Sequence, residues 1–217
     1  IIRGLVGSEM CIRDRVEFTD IAGLVKGASL GEGLGNQFLA QIRQVDAIVH
    51  VVRCFEDENV AHVENCVDPL RDVELIETEL LLADLNTIDK NLLRTEKLSK
   101  SDNAAVLKLE FIKKLKAFCD GGGAARNYKC TDEELKFLDE LFLLTSKPIM
   151  YVANINEDEL VSGKNSKHSD ILLSTINKDK GQAMKLCGKV EHEISLLDTV
   201  EQSEFLSEYN LSEPGLN

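Results

Sequence analysis

Asp20 and Gly23 form an Asp-x-x-Gly pair at the end of an apolar stretch that begins at Val16, and they lead into a loop carrying five glycines from Gly23 to Gly35. A carboxylate delivered by a buried strand to a sheet edge can hold a water on a phosphate-bound Mg²⁺. Gly23 has no side chain, so its backbone N–H can approach a terminal phosphate closely. The remaining glycines let the loop rearrange when that phosphate leaves. Taken alone, such a pair fits an ordinary turn. Its use as a sensor of nucleotide state depends on what surrounds it.

The surrounding chain alternates short apolar runs with helical periodicity, which predicts an α/β fold with an inserted helical arm. Asn36 to Val45 reads as a helix and Ala47 to Val52 as a buried strand. Asp68-Pro69 opens a long helix, with proline in its first turn and acidic residues behind it. Leu81, Leu85, Ile88 and Leu92 recur at a coiled-coil spacing. A second helix carries Leu107, Phe111, Leu115 and Phe118 and stops at Gly121-Gly122-Gly123. A third is capped by Thr131 with Glu134, and packs through Leu135, Leu138 and Phe142. Pro148 to Ala153 returns as a buried strand, and Ala183 to Leu186 as another. The predicted division is a leader over 1–15, a nucleotide-binding part over 16–84, the arm over 85–146 and a second nucleotide-binding part over 147–217.

Six segments carry a resemblance. They are DIAGLVKGASLGEGLGNQFL at 20–39, HVVRCFED at 50–57, VDPLRDVELIETELLLADL at 67–85, PIMYVANINEDE at 148–159, CGKVEHEISLLD at 187–198 and SEPGLN at 212–217. In this order they resemble the Obg-like ATPase family, the YchF type of P-loop NTPase. The resemblance implies a doubly wound, mostly parallel sheet of the P-loop NTPase type with nucleotide at the carboxyl ends of its strands. It also implies a Mg²⁺-dependent ATPase acting as a switch, with a ribosome as partner of the intact parent.

It further implies a set of site residues. Asp20 organises the metal shell and Gly23 senses the phosphate. Asn154, Ile155, Asn156 and Glu157 stand where guanine-specific relatives read Asn-Lys-x-Asp. With Ile155 in place of lysine and the longer Glu157 in place of aspartate, the fork that reads guanine is out of place. An asparagine amide such as Asn154 can instead meet the N6 amine and N7 of adenine. ATP is therefore expected to bind better than GTP, with the main chain at Ile155 near the base. Cys187 and Gly188, in the segment Cys187-Gly188-Lys189, flank base or ribose by the same resemblance.

The departures are as informative. No Gly-x-x-x-x-Gly-Lys-Ser/Thr occurs in the chain, so the backbone cradle for the phosphates is not encoded. The first fifteen residues, IIRGLVGSEMCIRDR, match nothing in the family and read as foreign sequence. The chain is expected to be a middle piece that also lacks a C-terminal TGS domain. Leu24 follows Asp-x-x-Gly where related GTPases place a water-orienting glutamine. No catalytic base is identifiable, and slow turnover is expected.

Composition bounds the rest. With 217 residues, 43% hydrophobic and 29% charged, the chain suits a globular domain with a sizeable core. Its apolar runs are far too short to span a bilayer. The six cysteines show no framework or C-x-x-C spacing, which fits reduced thiols in the cytoplasm. The four histidines lack metal-ligand spacing. A net charge of −13 argues against this piece binding nucleic acid by itself, so no direct DNA binding is expected, and any ribosome contact must use a local patch or parts of the parent outside this piece. Two readings remain: an ATP-dependent switch whose encoded piece is inactive alone, and a non-catalytic piece that acts through its helical arm only.

Overall fold

The computed structural model describes residues 16–21, 34–57, 66–178, 182–209 and the single positions 211, 213 and 215. Three strands, β1 (Ile48–Arg53), β2 (Ile149–Asn154) and β3 (Gln182–Leu186), form a parallel sheet in the order β1-β2-β3. His50 lies in register with Tyr151, and Val152 with Met184. Parallel strands require crossovers. Between β1 and β2 the crossover consists of α2 (Pro69–Leu98), α3 (Asn103–Asp120) and α4 (Asp132–Asp139); between β2 and β3 it consists of α5 (Glu157–Ser162) and α6 (Lys167–Lys178). Helix α1 (Leu34–Gln44) precedes the sheet, and α7 (Gly188–Leu196) and α8 (Thr199–Glu208) follow it.

Val16–Ile21, expected as a strand, makes no strand pairing. A strand exists only through its ladder, and β1 is hydrogen-bonded to β2 alone among the described residues. Val16 and Phe18 are accordingly 75% exposed.

The long helix begins as its sequence demands. Asp68 Oδ1 accepts the Arg71 N–H at 3.2 Å, and Pro69 takes the first position, where no N–H is needed. α2 then runs unbroken past residues 84 and 85. The arm is thus the second half of a helix whose first half packs on the sheet. Val73 belongs to the core around Val52, Ala153 and Leu172, while Ile88 belongs to a separate core with Phe111, Ile112 and Leu115. Full burial of such side chains is worth about 1.5–3 kcal/mol each, so the arm carries its own stabilising core.

The predicted seam forms, with Ile88 buried beside Phe111 and Leu115 and with Leu81, Leu85 and Leu92 packed against that core, but the expected packing of the other two helices holds only in part. Leu107 is 62% exposed, Leu135 49% and Phe142 79%. Leu107 falls near the free end of the hairpin, where little remains to pack against. α4 is only two turns long, and the chain leaves it through a left-handed Phe142, φ 49°, which turns that ring outward. Leu141 and Leu143 fill the core in its place. α3 ends as predicted: Gly122 adopts φ 88°, and a Cβ on Gly123 would lie 2.3 Å from the Phe118 ring.

Arm and sheet domain meet at Asp84. Fully buried, its carboxylate accepts the Leu144 N–H, the Thr145 N–H and the Thr145 hydroxyl, each at 2.7 Å. Thr145 in turn accepts the Ala125 N–H at 3.0 Å. Arg126 ion-pairs with Glu77, which accepts the Tyr151 hydroxyl at 2.7 Å. Polar groups at this joint are therefore paired rather than stranded.

Candidate nucleotide site

The three strands end side by side, and each is followed by one wall of a single cleft. Phe55–Asp57 follow β1, Asn154–Asp158 end and follow β2, and Cys187–Lys189 follow β3; together they line a volume of about 460 Å³. In open parallel sheets the carboxyl ends of the strands are where ligands bind.

Asn154 ties the walls together. Its backbone carbonyl accepts the Cys54 N–H at 2.9 Å, and its side-chain Oδ1 accepts the Gly188 N–H at 3.0 Å. The next residue continues the stitch, with Ile155 N–H donating to Leu186 carbonyl at 2.9 Å. An amide oxygen has a second lone pair and the amide nitrogen two protons. Asn154 can thus hold Gly188 and still present an acceptor and a donor to an adenine edge.

Ile155 is 2% exposed, with its side chain in the core beside Cys187 and Val190. Only its main chain is available to a ligand. Asn156 caps α5, its Oδ1 accepting the Glu159 N–H at 2.9 Å. Glu157 Oε1 lies 2.8 Å from Lys189 Nζ, joining the start of α5 to the start of α7, and this carboxylate raises the lysine pKa. Cys187 is buried at the start of α7. Burial also pushes the neighbouring Cys54 thiol up to about 12, so it is not a nucleophile near neutral pH.

The lining is acidic, with Glu56, Asp57, Glu157 and Asp158 against Lys189. Such a cleft suits a neutral base or ribose better than phosphates. Asp20 lies elsewhere: it is exposed and lines a second groove of about 650 Å³ with Phe18, Phe38, Val49 and Val51. Seven of the eight predicted site residues fall on described positions. Six of those share the cleft and Asp20 does not, while Gly23 and most of the glycine loop lie outside the described residues.

Sequence reading did not count Phe55, Glu56, Asp57, Asp158 or Lys189 among the site residues. Phe55, Glu56 and Asp57 reach the cleft only because β1 ends beside β2. Arg53 holds that wall, its guanidinium donating to the Phe55 carbonyl at 3.0 Å and the Asp57 carbonyl at 3.2 Å. The available signal was the run HVVRCFED itself, an apolar strand ending in charges. Among the described residues no group of His, Cys, Asp or Glu could by itself hold a metal ion. Asp20 fits Mg²⁺ only as a single outer carboxylate on an ion carried mainly by phosphates and water.

Comparison with known proteins agrees with this fold. A family described as 50S ribosome-binding GTPase matches residues 6–83, a match that starts inside the 1–15 stretch set aside above. The ribosome-binding ATPase YchF of Bacillus subtilis is 44% identical over 214 residues, covering 98% of this chain and 58% of that protein. That of Haemophilus influenzae is 42% identical with the same coverage. The chain thus spans less than two thirds of these relatives. The structure of the Schizosaccharomyces pombe YchF GTPase superimposes with a TM-score of 0.76 at 32% identity, covering 88% of this chain and 53% of that one.

Proposed function

Because this chain belongs to the YchF-type family of P-loop NTPases, we propose that it supplies the base-recognition half of a ribosome-associated, ATP-binding switch. The observation that carries this reading is the cleft in which Asn154, Glu157 and Gly188 converge at the ends of three adjacent strands. Asn154 meets the adenine edge, the main chain at Ile155 lies beside it, and Cys187 and Gly188 flank the base or ribose. Glu157, longer than the aspartate of guanine-specific relatives and paired with Lys189, is a poorer reader of guanine, which favours ATP over GTP.

The phosphates would extend out of the acidic cleft, which offers them only Lys189. Asp20 would hold a water of the Mg²⁺ shell, and that ion would neutralise charge on the phosphates. With Leu24 following Gly23, no side chain at that position orients the attacking water, and hydrolysis by the intact parent is slow. The chain as it stands, without Gly-Lys-Ser/Thr, binds nucleotide weakly and does not turn it over. A cytoplasmic setting follows from the ribosome partner, and among the described residues no helix is long and apolar enough to cross a membrane.

Weak binding calls for a method that works at high ligand concentration. Titration of the ¹⁵N-labelled chain with ATP and GTP should shift the backbone amides of Glu157 and Gly188, more with ATP than with GTP. Stronger shifts with GTP, or shifts confined to other regions, would refute the base assignment. Calorimetry should detect at most feeble ATP binding; micromolar affinity or phosphate release would contradict the inactive-piece reading.

A further inference from the structure

Among the described residues Phe142 is the one non-glycine position with a positive φ, at 49°. A left-handed residue just past a helix is ordinarily glycine or asparagine, because a bulky side chain strains that backbone. Such strain persists only where the surroundings enforce it. Here they do: Leu141 and Leu143, on either side, are buried in the arm's core, and the Phe142 N–H donates to the Asp139 carbonyl at 3.2 Å. The result is a phenyl ring 79% exposed on a backbone pinned at both flanks. An aromatic ring held rigidly in solvent is the form an interface anchor takes, since little freedom is left to lose on binding.

The ground around the ring is acidic. Asp132, Glu133, Asp139 and Glu140 are exposed on α4 and its C-cap, against Lys136. Glu140 is paired with Lys108, whereas Asp132, Glu133 and Asp139 make no ion pair among the described residues. Leu135, 49% exposed on the same helix, adds apolar surface.

We propose that Phe142 anchors the chain on a second protein, in an apolar pocket rimmed by lysine or arginine. This rests on the ribosome association proposed above and names the partner there as a basic protein of the ribosome. Unpaired carboxylates beside the ring repel RNA phosphates and complement a basic rim, so charge selects protein over nucleic acid.

The test is photocrosslinking of the full 217-residue chain to purified ribosomes, with p-benzoylphenylalanine placed at position 142. A control carries the same probe at Val200, a helical residue that is 71% exposed. The probe at 142 should give an adduct that survives ribonuclease, is destroyed by protease and is competed by the unlabelled chain. The control should not give it. Phe142→Gly supplies a second measurement, because it removes the ring and also relieves the left-handed backbone. Its Tm should hold or rise while its co-sedimentation with ribosomes weakens about tenfold or more. An adduct to RNA or to a second copy of the chain, the same adduct from both probe positions, or a lowered Tm in Phe142→Gly would overturn the proposal. If ribosomes pellet the chain and Phe142→Gly equally, the anchor is wrong and the ribosome association stands. If they pellet neither, the association itself fails and the anchor with it.

Discussion

Asn154, the last residue of β2, accepts the backbone N–H of Gly188, the first residue of α7, through its side-chain Oδ1 at 3.0 Å. One side chain therefore sets the spacing between the two loops expected to hold a nucleotide base.

Asn154→Ala should strand the Gly188 N–H and lower stability by about 1–3 kcal/mol, a fall in Tm of several degrees measured by thermal denaturation. It should also abolish the ATP-dependent shifts at Gly188. A variant that keeps the parent Tm would show that water replaces the amide and that the clamp is dispensable.

Base choice is best probed at Glu157, not at Ile155. Ile155→Lys would place an ammonium in the core, and a loss of about 3 kcal/mol or more is expected in urea titrations. Glu157→Asp shortens the carboxylate and releases it from Lys189, so the ATP-over-GTP preference should narrow. The Glu157–Lys189 pair is largely exposed, so Lys189→Met should change stability by less than about 1 kcal/mol. A large loss there would mean that the pair does more than bridge the cleft.

Asp84 should be among the least replaceable polar residues. Asp84→Ala leaves two backbone N–H groups and a hydroxyl unpaired, at a cost of about 3 kcal/mol or more. Burial pushes this carboxyl above its ordinary pKa, outweighing the donors from Thr145 and Leu144. The folded state thus holds the proton more tightly than the unfolded chain. Stability contributed by Asp84 is greatest at low pH and declines as pH rises from the ordinary carboxylate value through the raised one. Measured by urea titration across that range, the parent should lose stability relative to Asp84→Asn as pH increases. The opposite trend would mean that the three donors dominate over burial.

Two glycines should behave oppositely. Gly123→Ala drives a methyl group into the Phe118 ring and should cost about 1–3 kcal/mol. Gly188→Ala meets the Asn154 amide only at 3.4 Å, an ordinary contact, and should leave the Tm nearly unchanged. Equal thermal shifts in the two would contradict the packing described at the end of α3.

Local chemistry made much of this molecule readable without coordinates. Asp68-Pro69, Thr131 with Glu134, and the triple glycine after Asp120 each act within a few residues, so α2, α4 and the end of α3 start and stop as their sequences require. The same holds for the strand ending at Asn154, whose apolar run is bounded by Pro148 and a polar turn. Tertiary structure decided what depends on distant partners. Val16–Ile21 has the pattern of a strand but, with no ladder beside it among the described residues, forms none. Leu107, Leu135 and Phe142 keep the helical spacing yet face solvent, because periodicity specifies a face and not what covers it. Asp84 reads as one acidic position among many, and only the fold brings Leu144 and Thr145 onto it. Asn154 could be placed at a strand end from sequence, but its grip on Gly188, 34 residues away, exists only because β2 and β3 lie side by side.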